Sequence, residues 1–136
     1  IKLVLEINKQ FLEKGRLKQL SDDVIRPFYR NQAQTAVSLL KRELGAYPLK
    51  IHKPEGAIFL WLWFENLPVS SQTLYEILKA EGTLIIPGEH FFVGIDTQDY
   101  PHAHECIRMS IAQDAETLEK GIAAIGRVVR GFYDKK

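Results

Sequence analysis

The feature that most constrains this chain is a run of eight apolar residues, Ala57-Ile58-Phe59-Leu60-Trp61-Leu62-Trp63-Phe64, four of them aromatic. The run is too short for most helices and does not alternate between apolar and polar positions. It therefore predicts a central strand covered on both faces. Lys53-Pro54-Glu55-Gly56 just before it reads as a turn, and Leu49 to His52 as a short strand leading in. A chain that commits to such a strand needs a sheet around it and helices to cover it.

The flanking segments supply both. Leu3, Val4, Ile7 and Phe11 recur at helical spacing, and Gly15 closes that segment. A second helix is expected through Phe28, Ala33, Val37, Leu40 and Leu44, stopped by Gly45 and Pro48, with Pro27 at its start or at a kink near it. Ser70 or Ser71 is a natural N-cap for a helix carrying Leu74, Ile77 and Leu78, which Gly82 ends. Thr83 to Ile86 reads as a short buried strand stopped by Pro87-Gly88, residues 89–104 as a loop, and Cys106 to Ile111 as another strand. Asp114 can cap a last helix with the stripe Leu118, Ile122, Ile125, Val129 and Phe132. The expected fold class is α/β (α+β): a two-layer domain with helices packed on a small mixed sheet.

Charge narrows the function. Eighteen basic and 17 acidic residues leave a formal net charge of +1, with neither a basic patch for nucleic acid nor a polybasic run for an anionic membrane. No apolar stretch approaches the roughly 18 residues that span a bilayer. A single cysteine, Cys106, rules out an internal disulfide and suits a reducing compartment, so the cytoplasm is the expected location. The sequence opens at Ile1 inside an amphipathic pattern, and its one methionine is Met109, which permits the reading that it is a piece of a longer polypeptide.

Few residues carry chemistry by pattern. In Cys106-Ile107-Arg108-Met109-Ser110-Ile111 the apolar residues Ile107, Met109 and Ile111 share one face, and Cys106, Arg108 and Ser110 the other. An arginine in the middle of such a strand needs a partner for its charge, and its planar guanidinium suits a carboxylate. That partner is either a ligand or an Asp or Glu of the protein, the second being the commoner arrangement. His90, Asp96, His102, His104 and Cys106 are potential metal ligands, but their spacing matches no defined zinc signature, so no metal is expected. Cys106 has no base at a recognisable spacing that would make it a nucleophile. No glycine-rich phosphate cradle is present.

Three segments taken in order resemble the small domain of the fold type I, pyridoxal-phosphate-dependent aminotransferases. His52-Lys53-Pro54-Glu55-Gly56-Ala57-Ile58-Phe59-Leu60-Trp61-Leu62-Trp63-Phe64 is similar to that domain's glycine-to-aromatic strand, and Ile85-Ile86-Pro87-Gly88 with Phe91-Phe92 to its P-G-x-x-F loop. Ile107-Arg108-Met109-Ser110 resembles the strand whose arginine holds the substrate carboxylate, with Met109 where leucine is common. The resemblance implies that residues 1–136 form one C-terminal small domain of a longer chain, with leading helices over 1–47 and the sheet with its packed helices over 48–136. It implies transfer of an amino group between a small apolar amino acid, valine or alanine, and a 2-oxo acid, pyruvate. Arg108 would bind the α-carboxylate, and Phe91 would contact the substrate side chain or the cofactor edge. The Schiff-base lysine and the groups that hold pyridoxal 5'-phosphate would lie in a missing large domain. No catalytic or cofactor-binding residue is then expected here, the isolated piece would be inactive, and the parent enzyme would be a homodimer. A stand-alone carboxylate-binding module built on Arg108 is the alternative.

Overall fold

The computed structural model describes residues 2–13 and 15–135. The chain opens with helices α1 (Lys2–Glu13) and α2 (Arg16–Leu20), a π turn (Ser21–Ile25) and the long helix α3 (Arg26–Leu44). Strands β1 (Leu49–Ile51) and β2 (Phe59–Phe64) follow, then helix α4 (Ser71–Ala80) and strand β3 (Ile86–Pro87). A 3-10 turn (Gly88–Phe91), the short helix α5 (Pro101–His104), strand β4 (Cys106–Ser110) and helix α6 (Ala115–Tyr133) complete the chain. None of the described helices is long and apolar enough to cross a membrane.

The first helical segment lies where expected and ends at Gly15, whose φ of 66° is left-handed. The side chains of Leu3, Val4 and Ile7 lie outside the described residues. As expected, Pro27 lies at the start of the second helix: α3 opens at Arg26 with the proline in its first turn. The π turn precedes it, with the Arg26 N–H donating to the Ser21 carbonyl five residues back. A proline has no N–H for the helical ladder, and its ring crowds the preceding turn. A widened turn just before it lets the helix continue.

The strands form one sheet in the order β1-β2-β4-β3, and each neighbouring pair is antiparallel. The fold class is the expected one, but the sheet is antiparallel rather than mixed. Strands β2 and β3 do run the same way, joined over helix α4, yet β4 inserts between them and opposes both. Expected over Thr83 to Ile86, the third strand is instead Ile86 and Pro87, paired with Arg108 and Ile107. Only an edge strand tolerates proline, because its missing donor can face away from the sheet.

Helices α3, α4 and α6 cover one face. The core joins Leu60, Leu62 and Phe64 of β2 with Ile107 and Met109 of β4, Leu40 and Leu44 of α3, Leu74 and Leu78 of α4, and Leu118, Ile122, Ile125 and Val129 of α6. Both predicted caps form: Ser70 Oγ accepts from the Thr73 N–H at 3.2 Å, and Asp114 Oδ1 from the Thr117 N–H at 2.9 Å. Helices α3 and α6 approach closely at Gly126, where a Cβ would stand 2.9 Å from that of Glu43. Buried Gln32 of α3 donates to the carbonyls of Ile111 (3.1 Å) and Gln113 (2.7 Å), tying that helix to the chain leaving β4.

The strongest expectation needs correction. β2 is central, but helices cover only one of its faces. Leu60, Leu62 and Phe64 are buried, whereas Phe59 is 37% exposed and Trp61 and Trp63 are half-buried. Rings from residues 91–102, not a second helical layer, screen that other face.

Candidate functional site

Arg108 projects from the open face. In register it faces Trp61 of β2 on one side and Ile86 of β3 on the other, so backbone pairing fixes its base. The guanidinium carbon lies 4.1 Å from the ring centre of Phe59 and 4.5 Å from that of Phe91, and the two rings clasp the cation. Arg108 Nε is buried, and its N–H finds no acceptor among the described residues. Among the described residues no carboxylate pairs with this guanidinium, unlike Arg127 with Glu81 at 2.7 Å or Arg130 with Glu43 at 2.9 Å. The internal ion pair that sequence pattern made the commoner arrangement is therefore absent. Ring faces attract a cation by roughly 0.5–2 kcal/mol. They offer no acceptor for its N–H groups, which leaves those donors available to an anion, and the geometry of a planar fork suits a carboxylate.

Phe91 reaches Arg108 because of Gly88. A Cβ at Gly88 would fall 2.6 Å from the Cys106 Cβ and within 2.9 Å of the Ala103 carbonyl oxygen. Only glycine allows the 3-10 turn to lie this close to β4, and the turn delivers Phe91 over the guanidinium. Trp61 braces it edge-to-face at 5.4 Å. Phe59 was missed as a site residue by sequence reading, because it sits inside a run that looks like uniform core. The β2–β4 register, which sets Phe59 opposite Ser110 on the Arg108 face, is the signal that finds it.

The remaining candidates do not converge. His102 lies among Trp63, Phe92 and Tyr100 with ring centres 4.6–5.8 Å away. His104 turns elsewhere, with Nδ1 2.8 Å from Glu89 and Nε2 2.7 Å from the Thr97 carbonyl oxygen. Asp96 accepts from the Gln98 N–H at 3.0 Å. Among the described residues no three His, Cys, Asp or Glu side chains gather as a metal site. Cys106 is buried, its Sγ 3.6 Å from His102 Nε2. Burial pushes its thiol up to about 11, well away from the thiolate a nucleophile needs.

No family model matches the chain. Solved structures do. A protein of Psychrobacter arcticum 273-4 described as an amino-acid aminotransferase superposes with a TM-score of 0.91 at 64% identity, covering 93% of this chain and 29% of that one. With its antiparallel sheet and helical cover, the chain matches the small domain of fold type I aminotransferase structures. More particularly, it is similar to valine–pyruvate aminotransferase. It is 41% identical to the Escherichia coli (strain K12) enzyme over 120 residues, 88% of this chain and 28% of that protein. The Salmonella typhimurium LT2 enzyme superposes with a TM-score of 0.86 at 38% identity, covering 93% of this chain and 32% of that one. The chain thus spans under a third of the length of these relatives. They do not favour a stand-alone carboxylate-binding module.

Proposed function

We propose that the chain is the C-terminal small domain, residues 1–136, of a cytoplasmic pyridoxal-phosphate-dependent aminotransferase that exchanges an amino group between valine or alanine and pyruvate. Arg108 supplies its α-carboxylate site. The observation that carries this reading is the unpaired guanidinium held between Phe59 and Phe91. Two charge-assisted N–H donations to one carboxylate fix the substrate's rotation about Cα as well as its position. Phe91 and Trp61 wall the same space with apolar rings, which suits a small apolar side chain.

These residues fit the substrate, not the cofactor. Pyridoxal phosphate supplies the electron sink of transamination when bound. On the open face Arg108 is the one unpaired cation among the residues named at the site. Two lysines in and beside β1 are paired with carboxylates, Lys50 with Glu65 at 2.9 Å and Lys53 with Glu55 at 2.6 Å. The lysine and phosphate-binding groups accordingly belong to a larger domain outside this chain, and the parent is assigned as a homodimer on the family resemblance. Leu5, Leu12, Leu17, Leu20 and Val24 are between 40% and 65% exposed along α1, α2 and the π turn. Such an apolar stripe on a helical arm supports docking against that larger domain.

Arg108→Lys in the intact parent tests the reading directly. Lysine keeps the charge and loses the fork, so kcat/KM for valine with pyruvate is expected to fall at least tenfold, about 1.4 kcal/mol. Full activity in the variant would remove Arg108 from the site, and no transamination by the wild type would remove the function.

A further inference from the structure

We infer that His104 is a positioning residue for the carboxylate site, cross-linking the turn that carries Phe91 to the strap that follows it; this rests on Arg108 being the carboxylate-binding group. The two rings of the clamp are not held alike. Phe59 belongs to β2 and is fixed by ladder pairing on that strand. Phe91 ends a four-residue 3-10 turn and is 41% exposed, so its place over the guanidinium depends on what anchors the turn. Gly88 fixes one end by its close seat on Cys106 and Ala103. Between Gly88 and Phe91 the fixed point is Glu89, whose carboxylate lies 2.8 Å from His104 Nδ1.

The other ring nitrogen of His104 meets the Thr97 carbonyl oxygen at 2.7 Å, in the middle of the strap between Phe92 and Tyr100. A carbonyl oxygen only accepts, and an ionised carboxylate only accepts. Both contacts are hydrogen bonds when each ring nitrogen carries a proton, and the imidazole then acts as a two-headed donor. One side chain at the end of α5 so ties two separate segments that border the site. Glu89 and His104 side chains are 26% and 32% exposed, which shelters the tie from full solvent competition. Replacing Glu89 by glutamine changes the donor pattern without removing the tie, since an amide N–H can donate to an unprotonated Nδ1 while Nε2 still donates to Thr97.

The test is steady-state kinetics of the intact holoenzyme with valine and pyruvate, comparing wild type, His104→Ala, Glu89→Ala, Glu89→Gln and Arg108→Lys, with a melting curve for each. Both alanine variants are expected to raise KM about tenfold with kcat within about twofold, the pattern of lost ground-state and transition-state binding alike. Glu89→Gln is expected to restore KM to within about twofold of wild type. An unchanged KM in a folded His104→Ala, a fall in kcat with KM unmoved, or equal losses in Glu89→Ala and Glu89→Gln would each overturn the assignment. Should His104→Ala fail to fold, the contrast between the two Glu89 variants decides alone. A series in which Arg108→Lys is damaging and His104→Ala silent sinks only this inference. One in which Arg108→Lys is silent sinks the carboxylate site beneath it.

Discussion

Trp61 and Leu62 are neighbours in sequence and face opposite ways out of one sheet. Leu62 enters a face sealed by three helices, where it joins Ile107, Ile122 and Val129 with no exposure. Trp61 enters a face screened by rings such as Phe91 and Phe92 in place of long helices. On the sealed face every side chain of β2 and β4 is apolar and close-packed, and its role is stability. The open face keeps a buried, unpartnered Arg108 Nε, a state that lowers stability. One strand thus serves two purposes because side chains alternate along it.

The largest expected effect probes the sealed face. Leu62→Ala should lose about 2–5 kcal/mol in urea unfolding, the usual cost of a buried leucine deletion. Phe59→Ala, two ladder positions from Arg108 on the open face, should lose less than about 1.5 kcal/mol because its ring is already part-solvated. Equal losses would abolish the distinction between the faces. Next comes Gly88→Ala, which drives a Cβ into Cys106. It should cost about 1–3 kcal/mol by overpacking. By displacing Phe91 it should also weaken carboxylate binding, measured by calorimetry on the parent. A stable variant with intact binding would show that the turn can shift freely.

Two smaller effects sharpen the contrast. Ala57 leads into β2 with φ of 65°, a left-handed conformation that costs an L-residue about 1–2 kcal/mol. Ala57→Gly should raise the thermal midpoint, with a net gain of up to about 1 kcal/mol after the extra unfolded-state entropy of glycine. The smallest effect belongs to the helix covering the sealed face. Hydrogen bonds from the Thr117 backbone N–H and then its hydroxyl hold the Asp114 carboxyl below its ordinary value. A folded-state pKa below the unfolded one gives stability that is complete above the ordinary carboxylate range and lost as pH falls through the folded value. Acid unfolding should therefore begin at lower apparent stability as pH drops, and Asp114→Asn, which still caps, should flatten that dependence. An unchanged acid limb would dismiss the cap as its source.

Much of this was legible beforehand. The apolar stripe of α6, the serine and aspartate caps, the parity of β4 and the placement of Arg108 away from Ile107 and Met109 all follow from local periodicity, which tertiary contacts had no reason to override. Arg108 stood out because a charge in an apolar strand demands explanation, and the carboxylate role proposed for it came from the family resemblance. Phe59 did not stand out, since its place beside Arg108 comes from pairing with a strand far along the chain.

The sequence by itself determined the long helices, the strands β2 and β4 and which side of β4 holds the arginine, because those depend on spacing along one backbone. Only the tertiary structure decided that β4 inserts between β2 and β3, that Phe59 and Phe91 both close on Arg108, and that no acidic side chain among the described residues arrives to neutralise it. Strand order and the convergence of loops are set by contacts between residues distant in the chain, and no local pattern encodes them.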